Sequence, residues 1–118
     1  MSKYTLYHNP RWGKSREAVS LLNENKIHYT VIEYLKNPLS FNDVLLLSKK
    51  LSLDPREFVR KNEKDFKENN LELMIEDKNK MAQSISKFPK IMERPILVKG
   101  DKAIIGRPPE NILKLVQK

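Results

Sequence analysis

Two strand-like runs with a helix-like run between them, all within residues 3–34, constrain the fold of this chain more than any other feature of its sequence. Residues 3–8 and 28–34 are short, rich in Tyr and aliphatic side chains, and typical of strands. Between them apolar residues recur at helical spacing up to about Lys26, namely Ala18, Val19, Leu21 and Leu22. Two strands joined by a helix over so short a span predict a βαβ unit with parallel strands and a right-handed crossover.

Helix start signals dominate the middle of the chain. Ser40 with Asp43 resembles a capping box, and Asp54 followed by Pro55 is a typical helix start. We therefore expect a helix after each of these signals, helical surface turns over the charged residues 60–68, and a further helix over 77–87.

The last third of the chain predicts a hairpin and a helix. Residues 95–99 and 102–105 flank Gly100-Asp101, which suits a tight β-hairpin, and Pro108-Pro109-Glu110 begins a C-terminal helix. The order βαβ, helices, ββα predicts an α/β fold of the thioredoxin-like type, with a four-stranded mixed sheet flanked by helices and a helical insertion. With 118 residues, we expect a single domain over residues 1–118.

Composition excludes several classes of function. The chain has no cysteine, so it forms no disulfide, no thiolate metal site and no dithiol redox pair of its own, and with two histidines we expect no metal site. The net charge of +8 favours weak attraction to polyanions, but lysines alternate with acids over 61–68, which predicts a solvated surface rather than specific nucleic-acid binding. Without a long apolar run or a signal peptide, we expect a cytoplasmic monomer that does not contact membranes.

The segment Tyr7-His8-Asn9-Pro10-Arg11-Trp12-Gly13-Lys14-Ser15-Arg16 joins the first strand to the first helix. A tight loop at a helix start directs backbone N–H groups toward one point, and the helix dipole adds positive potential there, so the loop attracts anions. A thiolate in such a loop would be acidified into a strong nucleophile. Trp12 offers an indole N–H donor and no redox chemistry. The loop therefore predicts an anion site without a nucleophile.

Four short motifs resemble the glutaredoxin-dependent arsenate reductases, in order and over essentially the whole chain. They are Tyr7-His8-Asn9-Pro10 with Gly13 and Ser15-Arg16, then Arg60-Lys61-Asn62, then Arg94-Pro95-Ile96 with Val98, then Arg107-Pro108. The resemblance implies a loop cysteine that attacks arsenate, three arginines that hold the oxyanion, and glutathione with glutaredoxin as reductants. It assigns the arginines to Arg60, Arg94 and Arg107, the missing cysteine to Trp12, and a cis peptide bond to Arg94-Pro95.

Alternatives remain for several of these positions. By the resemblance His8 lies near the nucleophile and Ser15 beside it, but His8 could equally be a strand-end histidine bonded to backbone, and Ser15 could be the N-cap of the first helix. Any single arginine could simply pair with an acid. Trp12 either fills or covers the mouth of the pocket, or forms an aromatic platform for a ligand or partner. Gly13, Lys14 and Ser15 complete the expected oxyanion-binding set.

We therefore expect a cysteine-less relative that binds an oxyanion (arsenate, phosphate or sulfate) or a protein partner, with no bound cofactor and no certain catalytic residue. One alternative is an active arsenate reductase in which an external thiol such as glutathione, with glutaredoxin, reduces arsenate held by the arginines. Another is an interaction module similar to the Spx regulators, which share the fold and bind RNA polymerase. Those regulators carry a cysteine pair in this loop, which the present chain lacks.

Overall fold

A computed structural model describes residues 3–116 of the chain. The chain divides into two compact units: the first takes in the chain up to Tyr34 and again from Arg94, and the second runs from Leu35 to Glu93. A single domain remains a prediction. Within residues 3–116, no helix is both long enough and apolar enough to span a membrane.

The first unit contains a four-stranded mixed sheet, as the sequence predicts. Its strands are β1 (Tyr4–His8), β2 (Tyr29–Glu33), β3 (Ile96–Lys99) and β4 (Lys102–Ile105), in the order β2-β1-β3-β4. β1 pairs in parallel with β2 and antiparallel with β3, and β3 and β4 form the expected hairpin around Gly100-Asp101. Gly100 has a φ of 61°, a left-handed conformation that glycine adopts without strain.

Two helical segments pack on this sheet. α1 (Gly13–Glu24) connects β1 to β2, and a 3₁₀ turn at Pro109–Ile112 leads into the short helix α5 (Leu113–Val116). The predicted C-terminal helix therefore begins directly after Pro108, but its first four residues form a 3₁₀ turn and not an α-helix. The buried core of the unit draws on both segments and on the two central strands, through Leu6, Ala18, Leu22, Leu97 and Ile112.

The second unit is helical, with three α-helices separated by 3₁₀ turns. The helices are α2 (Phe41–Leu51), α3 (Lys64–Glu68) and α4 (Lys78–Lys87), and the 3₁₀ turns are Pro55–Phe58, Leu71–Met74 and Pro89–Ile91. The Ser40 hydroxyl accepts a hydrogen bond from the Asp43 N–H at 3.1 Å, as its capping signal predicts. Asp54 and Glu57 form the reciprocal bonds of a capping box, but only a 3₁₀ turn follows them. The fold class expected from the sequence is confirmed.

Candidate functional site

Asn9 fixes the loop between β1 and α1 through three hydrogen bonds. Its backbone N–H donates to the Ser15 hydroxyl at 3.2 Å, and its side-chain Oδ1 accepts from the Arg11 N–H at 3.1 Å. Its backbone carbonyl accepts from the Trp12 N–H at 3.0 Å. Asn9 is buried, so it holds the loop from within. An Asn before Pro is a recognised turn signal, and this signal could have indicated the role of Asn9 at the site from the sequence.

Trp12 is the N-cap residue of α1, and its side chain makes no capping hydrogen bond. Its carbonyl accepts the first helical bond, from the Arg16 N–H at 3.0 Å. The first N–H groups of any α-helix have no acceptor within the helix, and α1 has no acidic residue in its first turn. The alternative that Ser15 is the N-cap is therefore wrong: Ser15 is buried inside the first turn, where its hydroxyl accepts from Asn9.

The guanidinium of Arg94 lies over the ring of Trp12, with its carbon 3.7 Å from the ring centre. Arg94 is 2% exposed, whereas Trp12 is partly exposed. The peptide bond between Arg94 and Pro95 is cis, as the resemblance implied. Trp12 thus covers the buried arginine, and its place at the mouth of an anion pocket stays a prediction.

Exposed cations surround the start of α1. Arg11 and Lys14 are exposed, and the Arg16 guanidinium folds back to donate to the Pro10 carbonyl at 3.1 Å. A Cβ built on Gly13 would lie 3.8 Å from Arg16 Nη2, so this guanidinium reaches the first turn of the helix. Arg16 belongs to the first motif of the family resemblance but not to the oxyanion-binding set expected from the sequence. Its side chain adds a positive group beside the amides of the first turn.

Arg107 is exposed and lies between Gly106 and a second cis proline, Pro108, which the sequence analysis did not predict. Its carbonyl accepts from the Asn111 side chain at 2.9 Å. Gly106 is buried, and a Cβ there would meet Pro95 Cγ at 2.8 Å, closer than real Cβ contacts. Glycine is therefore required at this point for close packing, and the cis-proline segments on both sides of the hairpin are held against each other.

Arg60 belongs to the second unit and pairs with acids of that unit. Its Nη1 lies 3.2 Å from Glu93 Oε1, and its Nε lies 3.7 Å from Glu63 Oε2. Its backbone N–H donates to the Ile91 carbonyl at 2.6 Å. The structure therefore brings Arg94 to Trp12 in the first unit and Arg60 to two carboxylates in the second. The assignment of Arg60, Arg94 and Arg107 to one oxyanion pocket remains a prediction.

His8 is the last residue of β1, opposite Glu33 of β2 in the parallel register. Its Nδ1 is buried and has no hydrogen-bond partner within the described residues, so the alternative of a histidine bonded there to backbone is not what the structure shows. Burial lowers the pKa of His8, Glu33 acts to raise it, and Arg16 lowers it further. The neutral imidazole is therefore favoured near neutral pH.

No cluster of three or more His, Cys, Asp or Glu side chains suited to a metal ion occurs in residues 3–116. The arrangement that does occur offers helix amides and cations to an anion, with an aromatic ring and a buried arginine alongside. This chemistry can bind a negatively charged group, and the side chains of the loop hold no thiol with which to reduce it.

Comparisons with known proteins identify the family. The arsenate reductase of Haemophilus influenzae is 40% identical over 113 residues, covering 94% of this chain and 97% of that protein. An uncharacterized protein of Escherichia coli, YfgD, is 42% identical over 112 residues, covering 94% of each. The structure of an arsenate reductase from Vibrio cholerae matches with a TM-score of 0.89 at 36% identity, over 94% of this chain and 95% of that one. A model described as the ArsC family matches residues 7–115. The chain therefore belongs to the ArsC family of arsenate reductases.

Proposed function

We propose that this chain binds a small tetrahedral oxyanion at the start of α1 and does not reduce it with a thiol of its own. The observation that carries the proposal is the contact between Trp12 and Arg94. The loop position that the family resemblance assigns to a cysteine holds an aromatic ring, and that ring is 3.7 Å from the guanidinium carbon of a buried arginine. The anion-attracting elements are retained around a side chain that has no redox chemistry.

Three features of the loop support anion binding. The amides of the first turn of α1 have no side-chain cap, so they are available to an acceptor. The helix dipole adds positive potential at the same end. Lys14 and Arg16 place an ammonium and a guanidinium on this turn, and no acid in the turn offsets them. We include Gly13 and Ser15 for their backbone amides, and Arg60, Arg94 and Arg107 by the resemblance.

Reduction of arsenate to arsenite takes two electrons, which thiols supply in the mechanism that the resemblance implies. This chain has no cysteine, and the Ser15 hydroxyl cannot donate electrons to arsenic(V). Two relatives compared above are named arsenate reductases, so an external thiol acting on bound arsenate is the alternative that must be tested. Glutathione and glutaredoxin are the reductants for that test.

Trp12 is the only tryptophan in the chain, so its fluorescence reports on the proposed site without any label. We expect arsenate, phosphate and sulfate each to change Trp12 fluorescence at low ionic strength and to bind weakly, in the same place. The double variant Lys14→Ala/Arg107→Ala should lose about tenfold or more in affinity, as expected when two charge-assisted contacts are removed.

The matched control is Lys49→Ala/Lys67→Ala, which removes the same charge from exposed positions of the second unit. If both double variants lose affinity equally, the anions are attracted by net charge alone and the proposed site is wrong. Arsenite production with glutathione and glutaredoxin above the protein-free background would instead establish the alternative, an arsenate reductase that uses an external thiol. Absence of anion binding would favour a role in binding a protein partner instead.

A further inference from the structure

A second positively charged site lies at the other end of the sheet from the α1 loop. A cavity of about 520 Å³ opens between the β3–β4 turn, Lys3 and α5 of the first unit. This volume falls in the usual range for small-molecule sites. Its walls carry four lysines and one acid, with an apolar side chain beside them: Lys3, Lys99, Lys102, Lys114, Asp101 and Leu115.

The strand register places this cavity well away from the loop. Lys3 precedes Tyr4, the first residue of β1, and Tyr4 is paired with Lys99, the last residue of β3. The α1 loop follows His8 at the opposite end of β1, and a five-residue strand is about 16 Å long. The lysine cavity is therefore a separate site and does not depend on the proposed function of the loop.

Two of the lysines face each other directly. Lys99 and Lys102 are register partners across the antiparallel hairpin, and like charges in that position destabilise a sheet. Lys99 also lies near the Tyr4 ring, with Nζ 5.5 Å from the ring centre. None of the four lysines forms an ion pair with another residue in the described part of the chain. The positive charge of this cavity is thus largely uncompensated within the first unit.

We propose that this cavity binds the polyphosphate group of a small molecule. Lysine binds phosphate as a point charge, and several ammonium groups around one cavity suit several phosphates joined in one ligand better than a single phosphate. The charges gather around one open cavity rather than along a groove or helix face, which argues against a nucleic-acid backbone. Bound polyphosphate would also relieve the repulsion between Lys99 and Lys102.

The probe for this proposal is inorganic triphosphate, with orthophosphate and ATP compared under the same low-salt conditions. Calorimetry should show that triphosphate and ATP bind much more tightly than orthophosphate. Equal affinity for triphosphate and ATP would assign recognition to the phosphate chain alone, and tighter binding of ATP would add a contact with the nucleoside. Backbone amide NMR shifts should change at residues 99–102 and at Lys114, and not at residues 9–15 of the loop.

The test variant is Lys102→Ala/Lys114→Ala, for which we expect a loss of triphosphate affinity of about tenfold or more. Both side chains are exposed, so the fold should be retained, and Lys102→Arg/Lys114→Arg should bind nearly as well as the original chain. Lys49→Ala/Lys67→Ala, with the same change in charge, should change the affinity less than about twofold.

Three results would overturn the proposal. The first is an equal loss of triphosphate affinity in both alanine double variants, which would mean unspecific attraction. The second is a shift pattern confined to the α1 loop, which would assign triphosphate to the oxyanion site and leave the proposed function of the loop intact. The third is binding of single-stranded RNA more tightly than triphosphate, with loss on Lys102→Ala/Lys114→Ala, which would make the cavity part of a nucleic-acid interface.

Discussion

Arg94 is a buried cation whose guanidinium faces the ring of Trp12. The effect of a substitution at Trp12 on stability and on anion access therefore depends on this contact. A desolvated cation–π contact stabilises by about 2 kcal/mol, and an arginine that is 2% exposed has little access to water in its place. A small residue at position 12 therefore has two effects. It removes the ring from above Arg94, and it opens space at the start of α1 in which an anion could approach the guanidinium.

The substitution Trp12→Cys should create a reactive thiol. A cysteine at the N-cap of α1, next to uncapped amides and close to Arg94 and Arg16, should have a pKa below the free value of about 8.5, because each of these groups stabilises the thiolate. We expect faster alkylation near neutral pH than for a free thiol, together with arsenate reduction that depends on glutathione and glutaredoxin.

Trp12→Ser is the control for this experiment, since serine has nearly the same size as cysteine and cannot be oxidised by arsenate. It should bind anions and show no turnover. A Trp12→Cys variant that is folded but has a thiol pKa near 8.5 and no turnover would show that the site lacks the geometry for reduction. In that case Arg60, Arg94 and Arg107 would not act on a common anion.

Gly106→Ala should destabilise the protein. The added methyl group would lie 2.8 Å from Pro95 Cγ and 2.9 Å from Ile112 Cγ2, so buried neighbours in the first unit must move. Overpacking of this kind costs about 1–3 kcal/mol. Urea titrations of the variant and the original chain measure this loss as a difference in the free energy of unfolding. Gly13→Ala is the control, because its new methyl group has no neighbour closer than 3.8 Å, and it should not destabilise by a similar amount.

At the scale of elements, the pairing of β1 with β2 positions His8, whose pKa is lowered in the folded protein. His8 is held opposite Glu33 with a buried Nδ1, and burial is the largest influence on its pKa, which is lowered. The unfolded chain takes up a proton on this histidine near the ordinary value of about 6.5, before the folded protein does. Stability should therefore fall as pH drops below about 6.5, and this effect should level off below the folded pKa.

Urea unfolding at pH values from about 5 to 7 tests this expectation, by comparing the original chain with His8→Gln. On acidification, the free energy of unfolding of His8→Gln should fall less than that of the original chain. Glu33→Gln should have the opposite effect, since Glu33 raises the His8 pKa and its removal widens the gap to the unfolded value. If the His8→Gln variant shows the same pH dependence as the original chain, His8 does not contribute through its protonation.

The sequence predicted the elements whose signals are local. Ser40 bonds Asp43 and Asp54 bonds Glu57 because a cap needs only residues a few positions apart, and Gly100-Asp101 turns the hairpin for the same reason. The 3₁₀ turns after Asp54 and Pro108 were not predicted, since the start signals of 3₁₀ and α-helices are alike. Likewise the charged stretch of residues 60–68 becomes helical only over Lys64–Glu68.

The sequence could name the residues of the candidate site but could not show the contacts between them. Trp12 and Arg94 are distant in sequence, and their contact depends on β1 and β3 being neighbours in the sheet. The pairing of Arg60 with Glu93 likewise joins residues far apart along the chain, so no spacing rule could show it. For Ser15 the sequence left open a place beside the nucleophile position and a role as N-cap, whereas its bond to Asn9 depends on the course of the loop.

At the scale of the whole molecule, the sheet order fixes where the chain leaves the first unit and where it returns to it. β2 is parallel to β1 and β3 is antiparallel to it. The last residue of β2 and the first residue of β3 therefore lie at the same end of the sheet along the strand direction. One strand separates them, which corresponds to about 10 Å. The chain therefore leaves the first unit after β2 and returns to it before β3 at two nearby points of the same sheet.

This connection should couple the unfolding of the two units. If the segment from Leu35 to Glu93 were unfolded, the sheet would have to close a long flexible loop, and closing such a loop costs conformational entropy. A folded second unit removes this cost, because its chain is already compact. We therefore expect one cooperative transition, as the single-domain prediction requires, with the same urea midpoint from far-UV circular dichroism and from Trp12 fluorescence.

A substitution in the second unit tests directly whether the two units unfold together. Phe66 is 3% exposed in α3, so Phe66→Ala should cost about 3–5 kcal/mol through lost packing. Trp12 lies in the first unit, and the urea midpoint of its fluorescence should nevertheless fall together with that of circular dichroism. Leu73→Ala, at a side chain that is 86% exposed, should move neither midpoint appreciably. A Trp12 midpoint that stays in place in Phe66→Ala, while circular dichroism falls earlier or in two steps, would mean that the units unfold independently and that the chain comprises two domains.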